Sequence, residues 1–71
     1  QKQLIDWVKQ LRLFIDHHHL PVSCTQTGEV MIIRYLGDDV RQCFDSFGAV
    51  RGEIRTLMWQ QASHLPRIWA T

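Results

Sequence analysis

The sequence predicts an α+β fold: an N-terminal amphipathic helix, a two-stranded antiparallel β-hairpin, then two short helices in the order αββαα. Three observations predict it. Apolar residues recur with a period near 3.6 at the start of the chain, near two on either side of Gly28, and near 3.6 again after Gly37. A chain of 71 residues has room for one core and buries only about 60% of the surface it exposes when unfolded. Residues 1–65 are accordingly expected to form a single small domain, with 66–71 as a C-terminal tail.

Over residues 2–16, Leu4, Trp7, Val8, Leu11, Phe14 and Ile15 fall within one face of ~100° when set at 100° per residue, and Lys2, Asp6, Lys9 and Gln10 lie away from it. Such a segment is a helix with one buried stripe. Ile5 and Leu13 fall outside that stripe, as rim residues of the core or as part of a second contact surface. Pro21 biases Leu20 away from helical geometry, so the helix should stop within residues 17–19.

Val22, Ser23, Cys24 and Thr25 suit a strand, residues 26–29 hold the turn around Gly28, and residues 30–36 form a β-rich second strand. Alternation places Met31, Ile33 and Tyr35 on one face and Val30, Ile32, Arg34 and Leu36 on the other. A lone hairpin is not stable, so one apolar face must pack on helices, and such a ribbon has at least one open edge.

Beyond Gly37, Asp38 or Asp39 can cap a second helix, whose stripe is Val40, Cys43, Phe44 and Phe47. Continued at helical spacing, the stripe takes in Val50, Ile54, Leu57, Met58 and Leu65, but also Arg51. A charge in the seam, with Gly48 and Gly52 each costing about 1 kcal/mol relative to Ala, predicts a break at 47–49. A third helix then runs over residues 50–63, ended by Pro66.

Eight Lys and Arg against seven Asp and Glu leave a net charge of +1, too little for phosphate binding by bulk charge. Arg41, Arg51 and Arg55 would share a flank of about 80° on one straight helix, which makes a small nucleic-acid regulator an alternative reading. No helix-turn-helix or zinc-finger spacing supports it, and nucleic acid is not the expected partner. The longest apolar run, Val30-Met31-Ile32-Ile33, is far short of a membrane span. Cys24 and Cys43 lack the density of a disulfide-stapled domain and read as small hydrophobes in a cytoplasmic protein. A bridge between them is the alternative.

Three consecutive histidines, His17, His18 and His19, point about 100° apart on a helix and cannot share one ion, so neither a metal nor another cofactor is expected. Neither Ser23 nor Ser46 stands in a nucleophile elbow, and Asp38-Asp39 reads as a cap rather than a catalytic pair. The chain is expected not to be an enzyme. It begins at Gln1, as a trimmed piece of a larger protein would. Trp7 reads as core and Trp59 as core cover, with Trp69 beyond Pro66 left open.

The order helix, hairpin, helix resembles the N-terminal β-hairpin docking domains of modular nonribosomal peptide and polyketide synthetases. The likeness spans residues 4–58 and rests on the amphipathic first helix, the hairpin Gly28, and the ending Phe47-Gly48-Ala49-Val50-Arg51-Gly52-Glu53-Ile54-Arg55-Thr56-Leu57-Met58. The resemblance implies a docking module that takes the C-terminal tail of a partner protein as an added strand. Val30, Ile32, Arg34 and Leu36 would form the binding face, with acidic residues on the tail as the complement of Arg34 and with Arg41 as a second charge contact. Self-association as a homodimer through Ile5, Leu13 and the aromatic tail is the third reading.

Overall fold

The computed structural model describes residues 2–62, with side-chain environments from residue 4 to 61. Its order is α1 (Lys2–His17), β1 (Val22–Thr27), β2 (Val30–Tyr35) and α2 (Val40–Ala62). The α+β class, the first helix and the antiparallel hairpin stand as the sequence predicts. Leu65, Pro66 and Trp69 lie outside the described residues, as does the expected boundary between domain and tail.

In α1, Val8, Leu11 and Ile15 are buried, flanked by half-buried Leu4, Trp7 and Phe14. They pack against Val22 and Cys24 of β1 and Val50 and Leu57 of α2 in one core. The helix ends in a Schellman motif. His19 adopts a left-handed φ of 55°; its N–H donates to the Asp16 carbonyl at 3.2 Å, and Leu20 N–H donates to the Ile15 carbonyl at 3.0 Å. Leu20 then rests on the core beside buried Ile15, so the histidine run serves as a helix stop.

Strand β1 reaches Thr27, two residues further than the sequence suggests, because the turn needs only Gly28 and Glu29. Gly28 takes a φ of 61° and Glu29 does not, the pattern of a type II′ turn whose twist matches the strands. The register pairs Val22 with Tyr35, Cys24 with Ile33 and Gln26 with Met31 on the core side. On the outward side Ser23 faces Arg34, Thr25 faces Ile32 and Thr27 faces Val30.

Asp39 is the cap of α2: its Oδ1 accepts the Arg41 N–H at 3.1 Å and its carbonyl accepts the Cys43 N–H at 2.9 Å. Tyr35 ties the end of β2 to this cap by donating to the Asp39 carbonyl at 3.0 Å, with the Gln42 amide 2.9 Å from the same hydroxyl. Phe47 meets the Tyr35 ring edge-on, 6.4 Å between centroids. The folded-over tyrosine explains Gly37, since a Cβ built there would lie 2.5 Å from the hydroxyl oxygen and 2.7 Å from Cζ.

The expected break at 47–49 does not occur. Helix α2 is continuous over its 23 residues. Its buried side is Ser46, Val50 and Leu57, about 100° around the helix from the line through Val40, Phe44, Arg51 and Met58. Arg51 is therefore in solvent, and the objection to a single helix falls away. Gly48 and Gly52 lie toward the open side, where a Cβ built at either would meet nothing within 4 Å, and about 1 kcal/mol each does not end a helix packed along its length.

Candidate interaction surface

Among the described residues, seven hydrophobic side chains are buried, seven more pack against them half-buried, and ten large ones are exposed. Single exposed leucines need no explanation, but contiguous rows do. Eight of the ten exposed groups fall into three regions; Ile5 stands apart, as does Trp59, which is 78% exposed and so does not cover the core as the sequence suggests.

The first is the outward face and free border of the hairpin. Val30, Ile32 and Arg34 share that face and are exposed, and Leu36 is exposed just past the strand end. Leu36 N–H donates to the Pro21 carbonyl at 2.8 Å, which fixes the pairing phase. The main-chain groups of Met31, Ile33 and Tyr35 therefore point away from β1 and have no partner among the described residues. The opposite border is partly closed: Val22 N–H donates to the Leu20 carbonyl at 2.8 Å, and Arg12 Nε donates to the Cys24 carbonyl at 2.9 Å.

The second region is a shallow groove of about 760 Å³ between α1 and β1, with Leu13, Arg12, Asp16, His19 and Leu20 among its lining. Leu13, which falls off the core stripe in the sequence, belongs here. Burial pushes the Cys24 thiol at its floor upward, opposed by the Arg12 guanidinium, so this sulfur stays protonated and acts as a small hydrophobe. Cys24 and Cys43 are both free thiols, without a bridge.

The third region is on α2. Val40, Phe44, Phe47, Arg51, Ile54 and Met58 are separated by four, three, four, three and four residues, the spacing of a coiled-coil seam. Val40 is 70% and Phe44 74% exposed, with Met58 exposed and Phe47 and Ile54 nearer the core. Because the helix is continuous, Arg41, Arg51 and Arg55 share one flank of about 80° beside this row. Arg41 thus stands on α2 with the other arginines, on a different element from Val30, Ile32 and Arg34. Sequence reasoning named every member of the seam yet assigned the row to the core; its spacing of alternating threes and fours was the available signal.

No group of three His, Cys, Asp or Glu side chains that could hold a metal ion exists among the described residues. No described helix is long and apolar enough to cross a membrane. The fold is a small α+β unit of helix, hairpin and long helix that leaves ten large apolar side chains exposed among its described residues.

Comparison with known families makes this specific. The model of the UreD urease accessory protein family matches residues 1–70, and the chain belongs to that family. It is 41% identical over 64 residues to the urease accessory protein UreD 2 of Psychrobacter cryohalolentis, covering 90% of this chain and 20% of that protein. It is 36% identical over 70 residues to urease accessory protein UreD of Acinetobacter baumannii, covering 99% of this chain and 23% of that protein. The chain thus spans a fifth to a quarter of the length of these relatives. No solved structure matches it.

This finding overturns the resemblance to synthetase docking domains, together with the megasynthetase role and the tail-binding function it implied. The features behind that likeness are generic to small helix and hairpin units: an amphipathic helix, a glycine turn, and a short basic, any, Glu, apolar string. That string also belongs to the second half of one long helix rather than to a separate short one. The family is one of urease accessory proteins.

Proposed function

We propose that this chain is a protein-holding element of a urease accessory protein, and that it supports the production of active urease by contact with other polypeptides rather than by turnover of a substrate. The family match over residues 1–70 carries the reading. The exposed apolar row on α2 and the open border of β2 support it, since both suit macromolecular contact and neither forms an enclosed small-molecule cleft. Two free thiols, one of them buried, support a cytoplasmic setting.

The test is complementation in a urease-producing bacterium from which the gene encoding this chain has been deleted. Restoring the gene should restore urease activity in extracts at unchanged urease subunit abundance. A version with Val40, Phe44 and Phe47 changed to Ser should restore much less. Urease activity that is indifferent to the deletion would remove the reading.

A further inference from the structure

We draw no further inference here: the strongest candidate, the exposed apolar stripe of α2 through Val40, Phe44 and Met58, is an unpartnered helix face on a chain that spans a fifth to a quarter of the length of its relatives, and nothing in the structure shows what covers it.

Discussion

Helices α1 and α2 are both amphipathic, yet they treat their apolar residues differently. In α1 the stripe of Leu4, Trp7, Val8, Leu11 and Ile15 is taken up by the core, half-buried Phe14 lies against the His18 ring, and Ile5 and Leu13 remain exposed. In α2 the apolar arc is wider than the surface offered to it. Its Ser46, Val50 and Leu57 side is buried while Val40, Phe44 and Met58 stand in water. A periodic pattern therefore fixes how much of a helix is apolar, and the size and placement of its neighbours fix how much of that is used at home.

The sharpest way to break this contrast is a pair of truncations. Leu11→Ala removes a side chain that is 0% exposed and should lower unfolding free energy by about 3 kcal/mol, read as a fall in urea midpoint at constant slope. Phe44→Ala, the larger deletion, should change it by no more than about 0.5 kcal/mol. Comparable losses at the two positions would mean that the α2 seam is part of the core.

A smaller effect is expected where α2 joins the hairpin. Gly37→Ala should cost about 1–2 kcal/mol, because the new methyl displaces the Tyr35 ring from the Asp39 carbonyl and from Phe47. Tyr35→Phe/Gly37→Ala made together should lose little beyond the Gly37→Ala loss, and full additivity in the double-mutant cycle would show that the two residues are not coupled.

The smallest change has the opposite sign. Gly48→Ala and Gly52→Ala place methyl groups in open space on a continuous helix and should each raise stability by about 0.5–1 kcal/mol. Loss of stability in either variant would restore the break that the sequence alone suggests at 47–49. Because both glycines lie off the buried side, the gain should appear without change in the environment of Trp7, followed by its indole N–H resonance.

The parts of this fold that were legible in the sequence are those set within a few residues. The stripe of α1, the stop before Pro21, the two faces of β2, the Gly28 turn and the cap at 38–39 each follow from backbone sterics or side-chain period, and the structure keeps them all. The outward position of Val30, Ile32 and Arg34 was legible for the same reason, since alternation along a strand is a local property. The family was not legible, because the local signals it shares with synthetase docking domains belong to many small helix and hairpin units.

What only the tertiary structure decided is which side of α2 meets the rest of the molecule. Viewed alone, the stripe that holds Phe44, Phe47 and Met58 also holds Arg51, and a buried charge argues for a kink. Packing α1 and β1 against Val50 and Leu57 turns that stripe outward, keeps the helix whole and places Arg41, Arg51 and Arg55 on one flank. The physical reason is that burial depends on contacts between residues far apart in the chain. Helical spacing records which residues share a face, and only the neighbouring elements select the face that goes dry.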